Sequence, residues 1–140
     1  MRFAYIDLAD AANTTAEGKV NIIGAGTRVI NTPGVPVSIP VTLVATIEAD
    51  PSEAGDYALD IHLQTPSERK DLFSDKSVHL PPATAPEGEL PLALNIQLSL
   101  HPLTLTEAGL HRIRARFGRV RADYVFVVRV IEPEAPATTS

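Results

Sequence analysis

A chain of 140 residues, 44% apolar and 21% charged, has the length of one domain and the composition of a folded one, which excludes wholesale disorder. It carries a net charge of −5 and has no Cys and no Trp, so disulfides, thiolate metal sites and a Cys nucleophile are excluded and the core must be aliphatic. Arg2, Asp7 and Asp10 interrupt the apolar run that a signal peptide needs, and no stretch approaches the ~18 apolar residues of a membrane span; a cytoplasmic protein without a membrane segment is expected.

Phe3-Ala4-Tyr5-Ile6 opens as a short strand, and Asp7 to Ala12 suggests one helical turn. Val20-Asn21-Ile22-Ile23 and Thr27-Arg28-Val29-Ile30 read as two β pieces separated by Gly24-Ala25-Gly26. A dinucleotide loop would need a third glycine at position 29 and a helix after it. Val29 and its β-branched neighbours point instead to a bulge or bend. From Val37 to Ile47 apolar residues alternate with polar ones, and Pro40, which cannot donate to a ladder, marks an edge or a bulge.

Ala58 to Gln64 alternates cleanly: Leu59, Ile61 and Leu63 on one face, Asp60, His62 and Gln64 on the other. Leu72-Phe73 and Val78-His79-Leu80 are weaker strand signals, and the Pro-rich run 81–91 suits a connection between sheets. Leu92 to Leu100 places a large aliphatic at every even position, a pattern that a helix would scatter round its circumference. Thr104 to Ala108 suggests a second helical turn. His111 to Phe117 then alternates, Gly118-Arg119 supplies a turn, and Tyr124 to Ile131 returns as a β-branched and aromatic strand. The polar, Pro-rich residues 132–140 read as a tail on a domain spanning 1–131. About eight strands with turn signals between them predict an all-β fold, an antiparallel two-sheet sandwich of immunoglobulin-like type.

The chemistry is thin. No Gly-x-Ser-x-Gly elbow is present, and His62, His79, His101 and His111 are not spaced as metal ligands. No cofactor, no metal and no enzymatic activity are expected. One surface feature stands out. Six arginines against the single Asp123 give residues 109–131 a charge of +5, leaving −10 for the remainder of a chain whose total is −5. Arg112, Arg114 and Arg116 share one strand face, ~6.6 Å apart by strand rise. Either acidic residues such as Asp60 or Glu48 on a neighbouring strand oppose them, or they form an anion-binding or partner-binding face. Nucleic acid would bring stacking aromatics and a basic total charge; the outward phase of the strip has no aromatics and the protein is acidic.

The runs Ala4-Tyr5-Ile6-Asp7-Leu8-Ala9-Asp10-Ala11-Ala12 and Glu17-Gly18-Lys19-Val20-Asn21-Ile22-Ile23-Gly24-Ala25-Gly26 resemble the opening of a family of small uncharacterised bacterial proteins, a domain of unknown function. Glu107-Ala108-Gly109-Leu110-His111-Arg112-Ile113 resembles the Gly-x-aromatic-x-hydrophobic strand start of that family and of immunoglobulin-like sandwiches, with His111 where Tyr is usual. The likeness covers roughly residues 4–30 and 107–130 and implies a sandwich without an activity. The expected function is a non-enzymatic binding or structural module acting through a protein partner or self-association. A small-ligand or carbohydrate-binding sandwich is the alternative, with Tyr57 and Phe73 as its exposed aromatics.

Overall fold

Period-two alternation dominates the chain, and it forms strands nearly throughout. The computed structural model describes residues 1–17, 19–82 and 91–131. Its strands are β1 (Arg2–Ala9), β2 (Ala11–Thr14), β3 (Val20–Ile23), β4 (Val29–Thr32), β5 (Val37–Ile39), β6 (Thr42–Ala49), β7 (Gly55–Gln64), β8 (Arg69–Leu80), β9 (Leu92–Ser99), β10 (Leu103–Leu105), β11 (Gly109–Phe117) and β12 (Val120–Val130). The fold is all-β, with twelve strands among the described residues where the sequence suggests about eight. They make four open sheets rather than two: β1-β6-β9, β4-β12-β11-β7-β8, and the small pairs β10-β5 and β2-β3. Every pairing is antiparallel except β4 beside β12, which is parallel.

Two further expectations are corrected. Asp7 to Ala12 is not a helical turn but the end of β1 and the start of β2. Its Ala-rich composition favours a helix locally, but the ladder to β6 overrides that propensity. Thr104 to Ala108 holds the end of β10 and a loop. The one helical turn among the described residues is a 3-10 turn at Pro51–Glu53. Pro40 lies between β5 and β6, where no ladder donor is missed. The expected tail 132–140 and most of the Pro-rich run 81–91 lie outside the described residues.

Both larger sheets turn a face into one core. Leu43, Ala45 and Ile47 of β6 and Ile96 of β9 share a buried cluster with Leu59, Ile61 and Leu63 of β7, Ile113 and Phe117 of β11, and Phe126 and Val128 of β12. Each fully buried aliphatic or aromatic contributes about 1.5–3 kcal/mol of transfer free energy. The hairpin β11–β12 turns at Gly118, whose φ of 56° suits the first position of a two-residue turn. That turn sets Phe117 opposite Val120 and Arg116 opposite Arg121.

His111, which stands where the resemblance would place Tyr, packs inward near the start of β11. It is fully buried, and its ring stacks 5.3 Å from that of Phe126. Its Nδ1–H donates to the Gly109 carbonyl at 2.9 Å, while Nε2 is buried with no partner. The cause is the register: His111 faces Phe126 on the inward phase of the hairpin.

Candidate functional site

The outer face of the five-stranded sheet is built by lateral rows of side chains. In the first row Val125, Arg112, Gln64 and Arg69 stand opposite one another across β12, β11, β7 and β8. In the second the order is Asp123, Arg114, His62 and Asp71. In the third it is Arg121, Arg116 and Asp60. The predicted strip Arg112, Arg114 and Arg116 does share one outward face, because Ile113 and Ala115 between them, and Phe117 after them, are buried. Its acidic partners are Asp123 and Asp60. Arg114 Nε lies 3.3 Å from Asp123 Oδ1, Arg112 Nη1 3.8 Å from Asp123 Oδ2, and Arg116 Nε 3.8 Å from Asp60 Oδ2. Glu48, the other acid expected to oppose the strip, sits in the other large sheet and binds Arg2 at 2.7 Å. Exposed pairs of this kind contribute only about 0.2–1 kcal/mol each.

The edge strand β8 shapes the site. Its register against β7 slips twice, between the partners of Leu59 and Ile61 and between those of Ile61 and His62. Each slip is a one-residue bulge that bends the strand. Asp75 adopts φ 49° there, and its backbone N–H donates to Asp60 Oδ1 at 2.7 Å. A groove of about 420 Å³ lies along this edge, lined by Arg69, Arg114, Arg116 and Arg121 with Asp60, Asp71, His62 and Phe73. Arg121 has no carboxylate within 4.0 Å among the described residues, and its cross-strand neighbour is another arginine. Burial, with Arg69 and Arg114 nearby, holds the His62 imidazole below its ordinary value of 6.5, so it stands neutral beside four guanidiniums.

A second depression of about 620 Å³ adjoins the first and shares Arg114 with it; Leu110, Arg112, Gln64 and Pro66 line it. Leu110 is 55% exposed and lies opposite Val127, beside which stands Val29, 44% exposed. The strip therefore runs from an aliphatic patch into an arginine groove. The aromatics expected as a sugar platform are placed otherwise. Tyr57 is half-buried against Phe117, its hydroxyl donating to the Glu53 carbonyl, and Phe73 is half-buried with Lys76 Nζ 5.7 Å from its ring centre.

Sequence reasoning missed Arg69, His62 and Phe73 as members of this site, since they come from strands remote in the chain. Arg121 had a local signal. A two-residue turn at Gly118-Arg119 already implies that Arg116 faces Arg121. Among the described residues no group of three or more His, Asp and Glu converges to hold a metal ion, and no helix is long and apolar enough to cross a membrane.

The glycines read as a bend occupy one. Gly24 and Gly26 have φ of 67° and 84°. Asp7 Oδ1 accepts the N–H groups of Leu8 at 2.7 Å and Gly26 at 3.0 Å, while Oδ2 accepts the Tyr5 hydroxyl at 2.7 Å. Burial pushes the Asp7 carboxyl up, but these hydrogen bonds outweigh it and hold it below its ordinary 3.8. The Asp10 carboxylate fills the space beside Gly24, with Oδ2 2.1 Å from where a Cβ would stand. The two halves of the recognised motif thus form one clip, closed further by the β2–β3 pairing. Gly24→Ala is expected to cost more than the about 1–2 kcal/mol of a left-handed backbone alone, because the new Cβ also collides with the Asp10 carboxylate. Adding Asp10→Ala should relieve the contact but not the backbone cost; urea melts of both variants check this.

An all-β domain with a polar, arginine-rich sheet face and a glycine clip at its N-terminal end is the class defined so far. The model of a family of unknown function, DUF6941, matches residues 4–128, and the chain belongs to that family. No curated protein matches the chain. Two solved structures of a β-glucosidase from Listeria innocua, in complex with glucose and with gluconolactone, are similar to it at 14% identity and a TM-score of 0.46. The likeness covers 89% of this chain but 16% of theirs, and at this level it carries no argument.

Proposed function

We propose that this domain is a non-catalytic binding module, and that the outer face of its five-stranded sheet recognises an acidic segment of a protein partner. The two larger sheets would be the layers of an immunoglobulin-like sandwich, with the two small pairs as additions at its ends. The supporting observation is the continuity of two depressions through Arg114, with aliphatic Leu110 at one end, exposed Val29 two strands away beside Val127, and at the other end Arg121, which has no carboxylate partner among the described residues. Arginine is enriched at protein interfaces, and an exposed apolar patch rimmed by polar residues marks an interaction site. A cytoplasmic setting fits the absence of cysteine.

Selection from a random peptide library tests the reading. Enriched sequences should carry acidic residues beside an aliphatic one, and either Arg114→Glu or Leu110→Asp should weaken them about tenfold or more. Enrichment without acidic excess, or binding indifferent to both variants, sinks it. A second copy of the chain is the competing partner, favoured by the +5 and −10 division of charge. Sedimentation at about 50 mM and about 500 mM salt separates the two, because a charge-driven dimer dissociates as the screening length shortens.

A further inference from the structure

We propose that the groove at the β8 edge is a site for a phosphomonoester-class dianion, gripped between the guanidinium groups of Arg116 and Arg121. The inference rests on the binding face described above and names the group that its charged end takes. Three observations carry it.

The first is the cross-strand pair. Arg116 and Arg121 stand directly opposite on adjacent strands. Directly opposed residues have Cβ atoms about 4.5–5.5 Å apart, and like charges there repel. Protein groups relieve this poorly. Asp60 is 3.8 Å from Arg116 and spends its other oxygen on the Asp75 N–H, and Arg121 has no carboxylate partner among the described residues. An anion between the two guanidiniums removes the repulsion and satisfies both forks.

The second is charge. Four guanidiniums line the groove against the carboxylates of Asp60 and Asp71, and Asp123 offsets Arg114 from beside it, so the groove keeps a positive excess centred on Arg116 and Arg121 on a protein whose total is −5. A phosphomonoester carries about −1.5 to −2 at neutral pH on three oxygens, enough to face both of these guanidiniums. A single carboxylate supplies half the charge and one oxygen fewer. Arginine is the side chain best shaped for such a group, because its fork donates two parallel hydrogen bonds.

The third is room. About 420 Å³ exceeds what a bare phosphate fills and lies within the range of small-ligand sites. His62 stands within the groove and offers a ring N–H, and the half-buried Phe73 ring gives the body of the ligand an apolar wall.

The phosphomonoester could belong to a phosphorylated side chain of the partner or to a free phosphate compound. Titrating 15N-labelled full-length protein with inorganic phosphate, phosphoserine and a phosphoserine peptide, at constant ionic strength, tests the site and separates the sources. The side-chain Nε–H signals of Arg116 and Arg121 should shift and saturate with a Kd of about 1 mM or tighter. A peptide that binds tighter than inorganic phosphate assigns the site to a modified partner; the reverse assigns it to a free compound. Arg121→Gln should weaken binding at least tenfold, whereas Arg119→Gln, on the turn and bound to Glu53, should not. Without phosphate, Arg121→Gln should raise the melting temperature, because it ends the repulsion. Non-saturating shifts, equal shifts with acetate, unchanged binding by Arg121→Gln, or a lowered melting temperature in that variant would each overturn the proposal. Leu110→Asp lies outside this groove. Phosphate binding that survives it while peptide recognition fails confines any failure to the wider reading, and peptide binding without phosphate binding confines it to this one.

Discussion

Phe117→Ala should destabilise the fold by about 3–5 kcal/mol, the usual cost of emptying a buried phenylalanine site. Phe117 is completely buried at the foot of the β11–β12 hairpin, and the Tyr57 ring lies 5.2 Å from its own. Three circumstances keep the cavity from collapsing. Phe117 pairs with Leu59 on one side and Val120 on the other, so its backbone is fixed in mid-sheet. The next residue, Gly118, is locked in a turn with the Tyr57 ring 2.8 Å from where a Cβ would stand. Tyr57 is itself held by its hydrogen bond to the Glu53 carbonyl. A domain of this length has about 7–20 kcal/mol of stability in all, so one substitution would remove a large share. Urea unfolding should show a lower midpoint with an unchanged slope. A loss under 1 kcal/mol would mean that the hairpin foot repacks.

Asp7→Ala should cost about 2–3 kcal/mol and loosen the glycine clip. Substitution strands two backbone N–H groups, of Leu8 and Gly26, and one hydroxyl, of Tyr5. Leu8 is fully buried, so its donor finds no ready water. Hydrogen bonds to a charged acceptor contribute about 1.5–3 kcal/mol each when buried, and the half-exposure of Asp7 reduces that. The pH dependence follows from the direction of the shift. The carboxyl is held below its ordinary 3.8 in the fold, so its contribution is complete above that value and disappears as pH falls through the folded one. The stability gap between wild type and Asp7→Asn should be constant at neutral pH and close in acid below about pH 4. A gap that does not begin to narrow as pH falls below about 4 would show that the carboxylate's charge is irrelevant to the clip.

The legible parts of this fold were those in which one strand keeps one phase. Leu59–Leu63, Leu92–Leu98 and Ile113–Phe117 each alternate without interruption, and each is a strand as read. β8 was barely visible because its two bulges reset the phase within twelve residues. The end of β1 was hidden by composition: Asp7 to Ala12 suits a helix, and only the ladder with Val44, Leu43 and Thr42 decides otherwise. The arginine strip was readable as a face and Asp60 as one of its acidic partners, but Asp123 as the partner of Arg112 and Arg114, and the groove beside the strip, were not. Asp123 reaches Arg114 across the hairpin, and Arg69, Asp71 and Phe73 arrive from β8, whose register no local pattern encodes.

The parallel strand β4 has a consequence for how the chain is made. Val29 pairs with Val127 and Thr32 with Val130, so an early strand waits for the last one. During vectorial synthesis the ribosome releases β4 long before its neighbour exists, and its exposed Val29 must stay out of trouble in the interval. Pairings between remote segments are intrinsically slow to close and leave edges open to wrong partners. β4 can meet this hazard by being short: four residues offer a poor template to a stray strand. Docking of β4 should therefore be the final event of folding, completing a sheet whose other four members are already in place.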